Sequence, residues 1–116
     1  MKEAIVFLEY ILESINNIES FSNKLSKEKF LKTRLKQSAI IREFEIVGEA
    51  VKNIDEAFRK KYPEIEWKKI AGLRDKLTHH YFGVNLERVW IIIKDDLPIL
   101  KKEIEKILKE EREDEI

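Results

Sequence analysis

The sequence predicts an all-α protein, an antiparallel bundle of four to five helices in a single domain spanning residues 1–116. Only three glycines and two prolines punctuate the chain, which favours long helices over many short strands. Two stretches carry apolar residues at alternating spacings of four and three, the heptad pattern of packed helices. Seams of this kind imply helices that pack with their axes about 20° apart.

The first helix is predicted to begin close to the N-terminus and to end near residues 21–23. Polar residues follow, and Ser26 among them can cap the next helix, because its hydroxyl can accept a hydrogen bond from a free backbone N–H. The apolar residues that recur at helical spacing in this first helix are Ala4, Leu8, Ile11, Leu12, Ile15 and Ile18.

A long second helix is predicted from the first heptad seam, and Tyr62-Pro63 should end it. A shorter helix is then expected from about Ile65 to His80. The seam consists of Ile40, Phe44, Val47, Val51, Ile54 and Phe58, preceded by Phe30, Leu31 and Leu35. The residues of the shorter helix that should face inward are Trp67, Ile70, Leu73 and Leu77.

The last helical region should follow a turn at residues 82–85, where Asn85 can serve as the cap. Pro98 interrupts this region, either as a kink or as the first residue of a new helix. The acidic tail, residues 110–116, is expected to fray. The residues of this second seam are Leu86, Trp90, Ile93, Leu97, Leu100, Ile104 and Ile107.

Composition excludes several classes of site. The chain has no cysteine, which excludes disulfides, thiolate metal sites and cysteine nucleophiles. The longest apolar run, residues 89–93, is too short to span a membrane, and the N-terminus does not resemble a signal peptide, so we expect a cytoplasmic protein. The 23 basic and 23 acidic residues balance, so any RNA contact would need a local basic patch.

The candidate site surrounds two adjacent histidines, His79 and His80. Adjacent helical residues point about 100° apart, and no HExxH-type spacing is present, so no metal site is expected. Arg74 and Tyr81 fall on nearly one line of a helix, whereas His79 lies about 140° round from Arg74. Arg74 and His79 can converge in a groove if the helix ends near His79, or where a second subunit closes the site, and geometry leaves this open.

These residue types suit RNA cleavage without a metal. A histidine can take the proton from a ribose 2′-hydroxyl, and the adjacent 2′-oxygen is then the nucleophile. An arginine can hold the phosphate in a fork and stabilise its developing charge. The products would be a 2′,3′-cyclic phosphate and a 5′-hydroxyl. The alternative is structural, since arginine, histidine and tyrosine near a helix end often interact with the helix dipole.

The order of segments adds a family resemblance. Residues 63–84 closely resemble the signature region of HepT-like toxins in the HEPN superfamily, whose mark is Arg, four residues, His, any residue, Tyr. In this chain the motif reads Arg74, His79 and Tyr81. The resemblance covers essentially the whole chain and is strengthened by Trp67, Gly72, Gly83 and Trp90 and by segments 41–50, 86–90 and 96–98.

This resemblance implies a HEPN-like homodimer with two active sites at its interface, which cleaves RNA through Arg74 and His79 without a cofactor. It also implies the toxin of a type VII-like toxin–antitoxin system. The partner in such systems is an MntA-type nucleotidyltransferase, which silences the toxin by transferring AMP to the motif tyrosine, here Tyr81. Asp75 occupies a position that is usually polar in the family and is a candidate for orienting Arg74 or His79.

Two departures from the family pattern leave alternatives open. Glu66 stands where a proline is expected, which should alter only a helix start. His80 fills the variable slot of the motif, either as a solvent-facing substitution or as a supporting general acid for the leaving 5′-oxygen, and it leaves open which imidazole is the base. A competing interpretation is a non-catalytic HEPN module that binds nucleotide or substrate beside a nucleotidyltransferase, which the neutral net charge favours.

Overall fold

The computed structural model describes residues 2–79 and 85–114. Helices make up most of this part, which contains no β-strand, so the all-α prediction is confirmed. None of these helices is both long and apolar enough to cross a membrane. In chain order the elements are α1 (Lys2–Ser22), α2 (Lys27–Lys32), α3 (Arg34–Lys52), α4 (Glu56–Lys61), α5 (Trp67–His79), α6 (Leu86–Ile91), a π-helical turn (Ile92–Asp96) and α7 (Leu97–Asp114).

Helix α1 packs against α3, and the two helices run in opposite directions. In the first half of α1, Phe7 lines a surface groove together with Asn53, which follows the end of α3. Farther along α1, Asn17 Nδ2 donates a hydrogen bond to Glu43 Oε1, 3.2 Å away, near the middle of α3. Rising residue numbers in α1 therefore meet falling numbers in α3, as in an antiparallel pair.

Helix α7 also packs against α1 in the opposite direction. Lys101 Nζ, early in α7, lies 2.7 Å from Glu19 Oε1 near the end of α1. Arg112 Nη2, near the end of α7, lies 2.6 Å from Glu9 Oε1 in the first half of α1. Part-exposed ion pairs contribute at most about 1 kcal/mol each. The antiparallel arrangement of α1 and α7 is therefore stabilised mainly by the hydrophobic core.

The core is built from both predicted seams. Burial of each large aliphatic or aromatic side chain stabilises the fold by about 1.5–3 kcal/mol, so these positions dominate its stability. One assignment near the first seam is wrong, because Leu35 is 78% exposed. The large side chains that are less than 2% exposed are Leu8, Ile11, Ile15, Ile18, Phe30, Ile40, Val47, Val51, Phe58, Ile104, Ile107 and Leu108.

Two predicted helix caps are confirmed. The Ser26 hydroxyl accepts a hydrogen bond from the backbone N of Lys29, 3.1 Å away, at the start of α2. Asn85 Oδ1 accepts one from the backbone N of Arg88, also at 3.1 Å, at the start of α6. Each cap satisfies a backbone N–H that the helix itself leaves unpaired.

The prediction of a single long second helix is wrong, since the chain forms α2, α3 and α4 instead. Thr33 Oγ1 donates to the Lys29 carbonyl at 2.7 Å, and Asp55 Oδ1 accepts from the backbone N of Phe58 at 2.8 Å. Polar side chains that bond nearby backbone groups compete with helical hydrogen bonds, and these two mark the breaks. Ile54 and Phe58 remain buried, so their inward-facing assignment holds although the helix does not continue.

The last helical region is continuous but changes its hydrogen bonding before Pro98. The N–H of Leu97 donates to the carbonyl of Ile92, five residues back, as in a π-helix. Pro98 has no backbone N–H, so the carbonyl of Lys94 cannot receive the usual bond from four residues ahead. Pro98 is therefore the second residue of α7 and follows a widened turn, close to the predicted helix start.

The acidic tail is not frayed over its helical part, contrary to expectation. Helix α7 extends to Asp114, and Glu111 within it is only 3% exposed. The Glu111 carboxylate lies 2.7 Å from Lys61 Nζ and accepts a hydrogen bond from the Tyr62 hydroxyl. The end of α7 is thus packed against the end of α4.

Candidate functional site

Helix α5 carries three of the predicted site residues, Arg74, Asp75 and His79, and its start is firmly held. Trp67 is 6% exposed and opens the helix. Its indole N–H donates to the carbonyls of Arg59 and Tyr62, at 3.1 and 2.9 Å. These bonds tie α5 to the end of α4.

A buried polar chain continues from this anchor to the last helix. The Tyr62 carbonyl accepts from Trp67, and the Tyr62 hydroxyl donates to Glu111 of α7. Burial and the negative charge of Glu111 raise the pKa of Tyr62, so its hydroxyl remains protonated and able to donate. The start of the site helix is therefore fixed by a contact from the opposite end of the chain.

The inner side of α5 packs against the core through Ile70 and Leu73, both partly buried. An ion pair joins the side of the helix to α3, with Lys52 Nζ 2.9 Å from Asp75 Oδ1. The Asp75 side chain is 53% exposed, so this pair is accessible to water. Asp75 was predicted to orient Arg74 or His79, and its contact with Lys52 gives it a role in positioning the helix as a whole.

Arg74 and His79 both belong to α5. On a regular helix the two positions lie about 140° apart. Position 74 is about 40° from the partly buried Ile70, whereas position 79 is about 20° from Gly72, on the other side of the helix. The convergence of Arg74 and His79 in one site therefore stays a prediction. His80 and Tyr81 lie outside the described residues.

The outer side of α5 holds charges that motif reasoning missed. Lys68 and Lys76 are exposed there, on either side of Gly72. The helix contains four basic residues and one acidic residue, although the whole chain is neutral. That local excess was visible in the sequence once the helix bounds were known.

A surface groove of about 420 Å³ lies between α1 and α3. Its lining mixes apolar and charged side chains, so it is suited neither to a purely apolar ligand nor to a polyanion. Among the side chains that the structure describes, which do not include that of His79, no three histidine or acidic groups come together as metal ligands would. The groove is lined by Phe7, Tyr10, Arg42, Glu45, Ile46, Glu49, Ala50 and Asn53.

Comparison with known proteins gives a consistent set of relatives. A family model described as "Ribonuclease HepT-like" matches residues 11–107. A protein of Methanocaldococcus jannaschii named "Putative RNase" is 49% identical over 115 residues, which cover 98% of this chain and 95% of that protein. A "Probable ribonuclease HepT" of Thermococcus cleftensis is 46% identical over 103 residues, which cover 89% of this chain and 94% of that protein. No solved structure matches the chain.

Proposed function

Because the chain belongs to the HepT-like ribonuclease family, we propose that it is a metal-independent endoribonuclease and the toxin of a type VII-like toxin–antitoxin system. The observation that carries this proposal is the family match over residues 11–107, which contains the whole Arg74–His79–Tyr81 motif. Helix α5 supports it further, since it holds Arg74 and His79 on one packed element.

The proposed reaction uses the RNA's own 2′-hydroxyl. His79 takes the proton from this hydroxyl, and the 2′-oxygen forms a bond to the adjacent phosphorus. The bond from phosphorus to the 5′-oxygen breaks, and that oxygen takes up a proton from the acid form of a histidine or from water. Arg74 stabilises the charge on the five-coordinate phosphorus. The products are a 2′,3′-cyclic phosphate and a 5′-hydroxyl.

Two neighbours of this pair have supporting roles in the proposal. His80 is a candidate for the general acid that protonates the 5′-oxygen. Asp75, held by Lys52, keeps α5 in place, so it would position both catalytic residues through the helix. Since the 140° offset separates positions 74 and 79 on one helix, we propose that a second copy of the chain completes each site.

Tyr81 is proposed as the off-switch of the enzyme. A cognate MntA-type nucleotidyltransferase would catalyse attack of the Tyr81 phenol oxygen on the α-phosphorus of ATP. The bond to pyrophosphate breaks, pyrophosphate leaves, and the phenol proton passes to solvent. The attached AMP adds bulk and negative charge seven residues from Arg74, where it would compete with the substrate phosphate for the guanidinium.

The test is expression of the intact chain with and without a cognate MntA-type nucleotidyltransferase. Unmodified protein should cleave RNA in the presence of EDTA and leave 2′,3′-cyclic phosphate ends. His79→Ala should lower the rate by about 10²–10⁴-fold and Arg74→Ala by about 10²–10³-fold, because each removes one part of the transition-state stabilisation. Co-expression should add AMP units detectable by intact mass, and Tyr81→Phe should prevent the addition while leaving cleavage active.

Circular dichroism and the unfolding temperature of each variant serve as the folding controls. Full activity of folded Arg74→Ala and His79→Ala proteins would contradict the catalytic assignment. Tight nucleotide binding by a wild-type protein that leaves all tested RNAs intact would instead support the non-catalytic binding module.

A further inference from the structure

We propose that the outward face of α5, formed by Lys68, Gly72 and Lys76, is a track for the phosphates of single-stranded RNA that leads to the position of His79. This track deepens the ribonuclease function proposed above and depends on it. It assigns substrate binding to three residues other than the Arg, His and Tyr that define the motif.

The helix phase places these residues together. On a regular helix, positions 68 and 72 lie within about 20° of position 79, and position 76 lies within about 60°. The residues that pack inward, Ile70 and Leu73, lie more than about 100° away from position 79. Lys68, Gly72 and Lys76 therefore share one side of α5 with the proposed base, and Asp75 on the same side has its charge balanced by Lys52.

Among the residues that the structure describes, the lysines of this face differ from others nearby in having no acidic partner. Lys52, Lys61 and Lys69 each lie within 4.0 Å of a carboxylate, on Asp75, Glu111 and Glu66 respectively. Lys68 and Lys76 are exposed, and no carboxylate in the described residues lies within that distance of either. Their charges are therefore available to an external anion, and each phosphate of RNA carries one negative charge.

Gly72 has no structural reason to be glycine in the part of the chain that the structure describes. A methyl group added at Gly72 would meet no other heavy atom within 4 Å, and its φ is not positive. Glycine is the least favourable residue after proline in a helix interior. A remaining reason for it is close approach of a ligand to the helix backbone, midway between the two lysines.

RNA fits this face better than a second copy of the chain does. Two identical faces meeting across a two-fold axis would bring the lysines of one copy against those of the other. A sugar–phosphate backbone would instead neutralise them. The eleven helical steps from Lys68 to His79 rise about 16 Å, which accommodates at most about five nucleotides at the rise of a stacked strand.

The experiment compares two double variants of the intact protein. Lys68→Ala/Lys76→Ala should raise KM for a single-stranded RNA by on the order of tenfold with kcat little changed, because the lysines bind phosphates away from the reacting bond. The salt dependence of log affinity should become shallower by about 0.7 for each lysine. The matched control, Lys106→Ala/Lys109→Ala, removes two exposed lysines of α7 and the same total charge, and it should leave both quantities nearly unchanged.

Binding is measured separately from cleavage by fluorescence anisotropy with a labelled 2′-O-methylated single-stranded RNA, which lacks the nucleophile. The same lysine pairs are changed in a His79→Ala background, and Gly72→Gln is added because its side chain would cover the helix backbone at that position. Gly72→Gln and the α5 lysine pair should each weaken binding, whereas the α7 pair should not.

The outcomes separate the track from the proposed function. If wild type cleaves RNA while the α5 and α7 double variants behave alike in KM, binding and salt dependence, the track is overturned and the ribonuclease stands. If wild type cleaves no RNA, the ribonuclease fails, and anisotropy still decides whether α5 binds RNA. A change in sedimentation of Gly72→Gln with unchanged RNA binding would assign the face to a second copy and overturn the track.

Discussion

Glu111 is a buried carboxylate whose charge is kept by its two partners. Burial alone would raise the pKa of Glu111, but hydrogen bonds from Lys61 and Tyr62 lower it, and the net result lies below its ordinary value of 4.5. A depressed folded-state pKa stabilises the fold above the unfolded pKa, and that contribution is lost as pH falls through the folded value. The link between α4 and α7 should therefore weaken only in acid.

Glu111→Gln should lower the free energy of unfolding at pH 7 by about 1–3 kcal/mol, because two hydrogen bonds lose their charged acceptor. The gap between wild type and variant should narrow as pH falls below 4.5, where the wild-type carboxylate becomes protonated. Urea unfolding followed by circular dichroism across this range measures both effects.

Glu110→Gln is the matched control, since Glu110 neighbours Glu111 on α7 but is exposed. It should change the unfolding free energy little at either pH. A gap that is constant with pH would mean that the Glu111 side chain acts through its shape and not its charge.

The roles of some single residues could be predicted from the sequence and those of others could not, because their partners lie at different distances along the chain. Ser26 and Asn85 were predictable because a cap and its helix are neighbours in the chain. The burial of Glu111 was not, because its partners lie 50 and 49 residues away, and an acidic stretch at the end of a chain resembles a solvated tail. The motif residues Arg74 and His79 were identified by family resemblance and not by residue chemistry alone.

Within α5, Gly72 is unfavourable for helix stability, although we propose that it helps to bind RNA. A glycine within α5 weakens the helix, and nothing in the described surroundings would clash with a methyl group there. An alanine at this position therefore removes backbone freedom from the unfolded chain without introducing strain.

Gly72→Ala should raise the free energy of unfolding by about 1 kcal/mol and the unfolding temperature by about 4 °C. Ala71→Gly, one residue away, should shift both in the opposite direction. Thermal unfolding followed by circular dichroism measures the two variants together. If Gly72→Ala destabilises the protein, the glycine is explained by close packing within the protein and not by the approach of RNA to the helix backbone.

The extent of the helices was harder to predict than their inward faces. The first seam keeps its spacing through Ile54 and Phe58, so its periodicity contains no sign of the end of α3 at Lys52. The break depends on Asp55, whose side chain caps α4 in competition with a continued helix. Such competition is decided by a few kcal/mol of packing, which a periodic pattern does not record.

The molecule has no net charge, but its acidic and basic residues are unequally distributed among the helices. Helix α1 carries one basic and four acidic residues, whereas α5 carries four basic residues and one acidic residue. The molecule measures 47 × 28 × 20 Å, so a basic helix can present a distinct surface to RNA on a chain whose charges sum to zero. A neutral net charge therefore does not exclude RNA as the partner.

The proposed homodimer makes a prediction about mixtures of inactive copies. If Arg74 of one copy works with His79 of the other, mixing Arg74→Ala with His79→Ala should restore activity. Random pairing makes half of the dimers mixed, and each mixed dimer holds one complete site of two, so about a quarter of wild-type activity is expected. RNA cleavage after refolding the mixture measures it.

Two controls accompany the mixing experiment. Each variant refolded alone should stay inactive, and native mass spectrometry should record mixed dimers. Mixed dimers without activity would place Arg74 and His79 of each site on the same copy.

The π-helical turn at Ile92–Asp96 also limits where the chain can tolerate insertions and deletions. Helix α6 packs against α2, where Trp90 stacks on Phe30 at 5.3 Å, whereas α7 packs against α1. Deleting one residue from the turn would rotate everything after it by about 100° relative to α6. Insertions and deletions should therefore accumulate in the loops between helices and be selected against here, even though the turn is itself a local irregularity.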